Sequence, residues 1–135
     1  MSGGTPDDIH LDTSFLIRAL APGSTEAAAL RSWLGDGRAI AISTLVWGEL
    51  LCGPLDGTSE RLARRVVPAH VPLGTDEAAA AATLFNATGR RRGSFQDCIV
   101  AATAMGSGAA LATSDVDDFG RFVSHGLKLA TDPRA

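Results

Sequence analysis

The stretch FQDCIVAATAMGSGAALATSDVDDF, residues 95–119, predicts a helix that leads into a short strand. Its first half is rich in alanine and other apolar residues, and its second half contains the compact apolar run AALATS. One acid, Asp97, stands at the entry to the helix, and three more follow the strand: Asp115, Asp117 and Asp118. A helix that feeds a strand and runs antiparallel to it begins at the edge where the strand ends. The stretch therefore predicts that Asp97 and Asp115 lie at the same edge of a sheet.

Short β-like runs alternate with longer helical runs over the rest of the chain. The predicted strands are IHL (9–11), AIAIS (39–43), HVPL (70–73), AALATS (109–114) and LKLAT (127–131). Such alternation is typical of a parallel sheet covered on both faces. We therefore expect an α/β fold: a doubly wound, Rossmann-like parallel sheet of about five strands sandwiched by helices. Residues 1–135 form a single domain in this interpretation, with residues 1–7 as a disordered lead-in.

Composition indicates a soluble globular protein with a core. The chain has 135 residues, of which 45% are hydrophobic and 20% charged, and it has no apolar run of the roughly 20 residues that a membrane helix needs. No stretch resembles a signal peptide. The two cysteines, Cys52 and Cys98, fall in helical runs, so we expect reduced, core-type thiols in a cytoplasmic protein. No Cys/His cluster has the spacing of a zinc site.

Charge excludes a generally basic nucleic-acid-binding surface, because the formal net charge is −3. The bases are nevertheless nearly all arginine, and six of them form two clusters, at 61–65 and at 90–92. Arginine suits forked contacts with phosphate. Solvated helix faces are the simpler explanation of each cluster taken alone.

Four carboxylates are predicted to converge at the carboxyl edge of the sheet. Asp12 follows the first strand, Asp115 follows the fourth, and Glu49 lies about a turn and a half into the helix that leaves the second. Asp97 opens the helix that feeds the fourth strand. Ligands of doubly wound sheets bind at this edge. A site of oxygen ligands suits Mg²⁺ or Mn²⁺, and nearby hydroxyls could orient acids or waters: Thr13, Ser14, Thr113 and Ser114.

Each acid also has a purely structural interpretation. Asp12 could cap the first helix, Asp97 could complete a capping box that begins at Ser94, and Asp115 could cap the turn that follows it. Glu49 interrupts the apolar run LVWGELLC, where an unpaired carboxylate would be costly to bury. It must either reach the edge of the sheet or be held by a partner. Any one of these interpretations is adequate alone, but together they explain the pattern poorly.

Four segments resemble, in order and spacing, the motifs of the PIN-domain family: LDTSFLI (11–17), STLVWGELLCG (43–53), SFQDCIVAATA (94–104) and LATSDVDDF (111–119). The resemblance is strongest to the VapC-type toxins of bacterial toxin–antitoxin pairs and covers essentially the whole chain. It implies a PIN fold and a Mg²⁺- or Mn²⁺-dependent endoribonuclease, a phosphodiester hydrolase. It also implies a homodimer that is inhibited by a cognate VapB-like antitoxin whose tail enters the acidic site.

The same resemblance assigns roles to particular residues. It implies that the metal ligands and catalytic acids are Asp12, Glu49, Asp97 and Asp115, with Asp118 in support. Arg92, with Arg91 beside it, falls near the basic position that precedes the third acid of the family. We expect these two arginines to contact either the RNA phosphate or the carboxylates of the antitoxin.

Three other classes of protein share part of this pattern. A PIN-like module that binds nucleic acid or protein without turnover would keep the same acids. A phospho-receiver domain would share the sheet, but its acids at 7 and 8 would precede the first strand rather than follow it. A haloacid-dehalogenase-like phosphatase would need a second Asp two residues after Asp12, and Ser14 stands there.

Overall fold

The computed structural model describes residues 8–53, 55–91 and 94–130. In these ranges the strands are β1 (Ile9–Leu11), β2 (Ile40–Ser43), β3 (Ala69–Val71) and β4 (Ala110–Ala112). The α-helices are α1 (Thr13–Ala19), α2 (Thr25–Gly35), α3 (Thr44–Cys52), α4 (Gly57–Val66), α5 (Thr75–Ala87), α6 (Phe95–Gly106) and α7 (Val116–Gly120). The lead-in expected at residues 1–7 lies outside the described residues and stays a prediction.

The four strands form one parallel sheet in the order β3-β2-β1-β4. The central strand β1 pairs through His10 with Ala41 on one side and with Leu111 on the other. All three residues of β1 and all three of β4 are buried, because helices cover both faces of a parallel sheet. The predicted doubly wound α/β fold is confirmed.

The path of the chain through the sheet reverses beside β1. From β1 the chain moves to β2 and then to β3, and it returns past β1 to form β4. Right-handed crossovers that run in opposite directions place their helices on opposite faces of the sheet. The switch point therefore falls between the carboxyl ends of β1 and β4, which is where sheets of this kind bind ligands.

The prediction of a fifth strand over residues 127–131 is wrong within the described residues. A 3₁₀ turn at Val123–His125 ends at Gly126, which has a φ of 110°. The chain then reaches the edge of β4 through a single parallel bridge between Leu111 and Leu129. The turn ends just before the predicted strand, whose contact with β4 is a bridge at Leu129 and not a strand. Residue 131 lies outside the described ranges.

The core explains why one of the two cysteines departs from expectation. Cys98 is buried, as expected, but Cys52 is exposed. On α3 the buried side chains are Val46 and Leu50, which are four residues apart and define one face of the helix. Cys52 lies two residues beyond Leu50 and therefore on the opposite side.

Within the described part of the chain, no helix combines the length and apolarity needed to cross a bilayer.

Leu111 tests the dependence of the fold on β4. Its side chain is fully buried, and its backbone bonds to both β1 and the segment after the 3₁₀ turn. Leu111→Ala should lower the free energy of unfolding by about 2–5 kcal/mol, because it leaves a cavity in the core. Urea denaturation measures this loss. Leu34→Ala, at a side chain in α2 that is 43% exposed, is the matched control and should cost less than about 1 kcal/mol. Equal losses in the two variants would contradict the burial of β4.

Candidate metal centre

Carboxylates from four different elements line one cavity of about 300 Å³ at the switch point. Asp12 follows β1, Glu49 lies within α3, Asp97 lies in the first turn of α6, and Asp115 precedes α7. The cavity is lined by these four acids together with Thr13, Ser14, Ile17, Val100 and Phe119. The structure thus brings together the four acids that the sequence singled out.

Asp12 is the most deeply buried of these acids, with only 4% of its surface exposed. Its Oδ1 accepts hydrogen bonds from the backbone N–H of Phe15 and from the hydroxyl of Ser14, both at 2.8 Å, and its Oδ2 accepts one from the hydroxyl of Thr113. The bond from Phe15 is the N-cap of α1, so the structural role foreseen for Asp12 is real. Asp12 caps the helix and lines the cavity at once.

Burial raises the pKa of Asp12 above its ordinary value of 3.8. The hydrogen bonds from Thr113, Phe15 and Ser14 lower the pKa but do not offset the loss of hydration, and the negative charge of Asp115 raises it further. The donors to Asp12 are neutral groups, so they orient the carboxylate without cancelling its charge. A cation in the cavity would meet a fixed and uncompensated carboxylate.

Glu49 has the partner that its apolar surroundings required. The hydroxyl of Thr13 donates a 2.7 Å hydrogen bond to its Oε1, which ties α3 to the start of α1. Leu50, the next residue on α3, is 1% exposed, whereas Glu49 is partly exposed. The carboxylate therefore reaches the cavity wall at the edge of the helix and avoids the core.

Asp115 does not cap the short helix that follows it. Its side chain makes no capping hydrogen bond to α7, and its backbone N–H donates to the hydroxyl of Thr113 at 2.9 Å. Thr113 therefore joins Asp115 to Asp12. A second link comes from the Ser114 N–H, which donates to Ser14 Oγ at 3.2 Å. These hydroxyls hold the ends of β1 and β4 together, and they leave the Asp115 carboxylate to the cavity.

Asp97 likewise does not form the capping box that its spacing from Ser94 suggested. Ser94 makes no side-chain cap, and its hydroxyl instead donates to the carbonyl of Arg91. The Asp97 carboxylate lies 3.7 Å from Nη2 of Arg121. Burial raises the pKa of Asp97 above its ordinary value, the nearby Arg121 guanidinium lowers it, and the carboxylates of Asp118, Glu49 and Asp12 raise it again, so the net shift is upward.

The remaining predicted residues lie around this centre. Asp118 is outside the lining of the cavity, but its charge acts on Asp97. Arg91 is exposed and contributes its backbone carbonyl to Ser94, while Arg92 lies outside the described residues. The roles foreseen for these three residues stay predictions.

Two residues near the centre escaped the reasoning from sequence. Arg121 follows the acidic turn as an isolated base and belongs to neither of the two arginine clusters. Glu26 lies on α2 and accepts a 3.1 Å hydrogen bond from the hydroxyl of Ser114. A single base directly after an acidic turn was the available signal for Arg121, but only the packing of α7 on α6 reveals its contact with Asp97.

The acids at the cavity wall are of the donor type that a hard divalent cation prefers. Within the described residues, no three His, Cys, Asp or Glu side chains come close enough to enclose an ion. Mg²⁺ is usually bound by one or two carboxylates and keeps several waters, and a cavity of this size has room for them. Four oxygen-bearing acids without a described sulfur or imidazole at the cavity wall favour Mg²⁺ or Mn²⁺ over softer metals.

The fold and this site define a class: Rossmann-like α/β domains with a carboxylate centre at the switch point. The sequence matches the family model for the PIN domain over residues 9–123, so the chain belongs to the PIN-domain family. The membership expected from the four motifs is confirmed. By sequence, none of the curated proteins matches the chain.

Solved structures of similar fold include several toxin–antitoxin proteins. VapBC2 of Rickettsia felis, bound to a DNA fragment from its promoter, has a TM-score of 0.72 at 18% identity over 91% of this chain and 97% of that one. FitAcB of Neisseria gonorrhoeae has a TM-score of 0.69 at 21% identity over 92% and 97%. VapC20 of Mycobacterium tuberculosis, a toxin that cleaves the sarcin–ricin loop, has a TM-score of 0.61 at 20% identity over 90% and 98%.

Substitution of Asp12 separates its capping role from its charge. Asp12→Ala should destabilise the protein by about 0.5–2 kcal/mol, because the N-cap of α1 is lost. Asp12→Asn keeps an oxygen for the cap and removes the buried charge, so it should be more stable than the wild type at neutral pH in EDTA. Thermal unfolding measures both effects.

The pH dependence of the Asp12→Asn variant shows whether the charge of Asp12 stabilises or destabilises the folded protein. Because the folded-state pKa of Asp12 lies above 3.8, its contribution to stability is present below that value and is lost as the pH rises through the folded-state pKa. The advantage of Asp12→Asn should therefore grow as the pH rises from 3.8 through the folded-state pKa. Asp117→Asn, at an exposed acid, is the control and should show little such growth. A wild-type protein more stable than Asp12→Asn throughout would contradict a destabilising buried charge.

Proposed function

We propose that this PIN-domain protein is a divalent-metal-dependent endoribonuclease and the toxin of a type II toxin–antitoxin pair. The observation that carries the proposal is the convergence of Asp12, Glu49, Asp97 and Asp115 on one cavity from four separate elements. Family membership supports nuclease chemistry, and the fold shared with toxin–antitoxin proteins supports the biological role. RNA as the substrate is supported by the resemblance of the motifs and by a toxin of similar fold that cleaves the sarcin–ricin loop.

In the proposed reaction, water adds across a P–O bond of RNA. Mg²⁺ or Mn²⁺ at such a site supplies a water of lowered pKa and neutralises charge on the phosphate. The protein's part is to hold the ligands in place: Thr13 orients Glu49, and Ser14 and Thr113 orient Asp12. Asp97, which lies in the first turn of α6 and lines the cavity, is the carboxylate proposed to take a proton from water. No side-chain nucleophile is required.

Cleavage of RNA tests this function directly. Purified protein with Mg²⁺ or Mn²⁺ should cut total bacterial RNA into discrete products, and EDTA should abolish them. Asp97→Asn should lower the cleavage rate by more than about 100-fold, because even a residue that only supports a metal ligand is worth 10–100-fold. Gel electrophoresis and end mapping measure the products.

Asp117→Asn is the matched control for that experiment, since Asp117 is a nearby exposed acid outside the cavity lining. It should cleave at close to the wild-type rate. Full activity in a folded Asp97→Asn variant would remove Asp97 from the centre. Products that persist in EDTA would contradict the dependence of cleavage on a divalent metal.

A PIN-like binding module without turnover is the second candidate. The observation that favours it is that no three of the described acids approach closely enough to enclose an ion. RNA or protein binding that survives both EDTA and Asp97→Asn, with no cleavage by the wild type, would select this function over the nuclease.

The proposed biological role includes two protein partners. A VapB-like antitoxin, whose tail would enter the acidic cavity, would inhibit cleavage in the cytoplasm, and a second copy of the chain would form a homodimer. Large apolar side chains remain exposed on the single chain and could contribute to either interface: Ile17, Leu51, Leu62, Leu73 and Phe95.

Sedimentation equilibrium tests the homodimer. The purified chain should sediment at twice its mass of 13.9 kDa, and dilution should shift it toward that single mass. A mass of one chain at every concentration would contradict the homodimer and leave the nuclease proposal intact.

A further inference from the structure

Arg121 places a nearly buried guanidinium beside the acidic cavity. It is the C-cap residue of α7, and only 15% of its side chain is exposed. Its guanidinium carbon lies 4.4 Å from the centre of the Phe122 ring, and its Nη1 donates to the backbone carbonyl of Asp118. These contacts fix the plane of the guanidinium from two sides.

One edge of that guanidinium lacks hydrogen-bond acceptors. Nε and Nη2 are both buried, and neither has a hydrogen-bond partner among the described residues. Together they form the edge with which arginine grips a carboxylate through two parallel bonds. Leaving such donors unsatisfied is costly, so the edge calls for a specific acceptor.

Asp97 is the carboxylate that pairs with that edge; the Cys98 thiol, a weak acceptor, also lies beside the Arg121 guanidinium. Its Oδ2 lies 3.7 Å from Nη2, which is within ion-pair range but too long for a hydrogen bond. The other two buried or half-buried acids are held differently, because Thr13 fixes Glu49 and three neutral donors fix Asp12. Asp97 accepts no hydrogen bond from these hydroxyls, so Arg121 is the group in contact that can orient it.

We propose that Arg121 is the positioning residue for Asp97, gripping Oδ2 along its Nε–Nη2 edge so that Oδ1 faces the cavity. The inference rests on the proposed function, since it assigns Asp97 to the metal centre. Partners that orient a ligand commonly change metal affinity or activity by about 10–100-fold when they are removed.

Whether cation binding weakens or strengthens when Arg121 is replaced shows whether Arg121 orients Asp97 or acts only as a nearby positive charge. If Arg121 acted only as a nearby positive charge, its removal would strengthen the binding of a cation to the acids. If it orients Asp97, its removal weakens that binding, and a lysine, which keeps the charge but lacks the planar fork, does not restore it.

Mn²⁺ binding without RNA tests the inference, measured by isothermal titration calorimetry or by the electron paramagnetic resonance of free Mn²⁺. Arg121→Lys and Arg121→Gln should each raise the Mn²⁺ dissociation constant by about 10–100-fold, and cleavage should fall through kcat more than through KM. Thermal unfolding in EDTA identifies the folded variants, and Arg121→Lys is the conservative substitution if Arg121→Gln fails to fold.

Arg64 offers a matched control. Its guanidinium also stacks on an aromatic ring, 4.7 Å from the centre of Trp47, and it also pairs with an acid, Glu60. Its side chain is 56% exposed, and it does not line the cavity. Arg64→Lys and Arg64→Gln should bind Mn²⁺ with wild-type affinity.

Unchanged or tighter Mn²⁺ binding in folded Arg121→Gln would overturn the inference, as would wild-type affinity in Arg121→Lys. The proposed function can fail separately: a wild type that binds Mn²⁺ but cuts no RNA would remove the nuclease and leave the role of Arg121 standing. If the wild type cuts RNA and the Arg121 variants equal it in Mn²⁺ affinity and cleavage, only the role of Arg121 is contradicted. A wild type that binds no Mn²⁺ would overturn both.

Discussion

The parallel pairing of β1 with β4 is the constraint on which the candidate site depends. Leu11 stands opposite Ala112, and the Asp12 N–H extends the ladder by donating to the Ala112 carbonyl at 3.0 Å. This register brings Asp12 level with the residues that follow β4, so the Thr113 hydroxyl can bond to its carboxylate. A different register would carry Thr113 and Asp115 away from Asp12 and would separate the two strand ends that build the cavity.

The other two acids depend on that pairing through the helices. Thr13, the first residue of α1, bonds to Glu49, so the position of α3 relative to β1 determines where Glu49 lies. Asp97 is placed by α6, which leads into β4 and must therefore begin near the carboxyl edge. Residues far apart in sequence are thus brought to one cavity by the topology of a short sheet, and no long loop is needed.

Sequence periodicity predicted most of this arrangement because the signals were local. The apolar runs at Ile9–Leu11 and Ala110–Ala112 and the acids directly after them were enough to place Asp12 and Asp115 at one edge. The fifth strand could not be predicted correctly, because its apolar run is the same whether it pairs along its length or, as here, through a single bridge between Leu111 and Leu129. Arg121 was missed because its significance lies in a contact between α7 and α6 that no spacing in the sequence encodes.

The way in which the acids are held argues for a site that keeps its negative charge. Full ion pairs with arginine would orient Asp12 and Glu49 equally well, but they would also neutralise them. Hydroxyls and a backbone N–H orient these acids and leave the charge in place, at a cost in stability that the raised pKa of Asp12 reflects. Among the described residues near the cavity, Arg121 is the positively charged side chain that pairs with one of these acids, Asp97. Their contact is too long for a hydrogen bond, and Nε and Nη2 of Arg121 have no hydrogen-bond partner among the described residues. The Asp12 carboxylate is therefore buried and oriented without a positively charged partner from the protein. A divalent cation in the cavity would balance its charge.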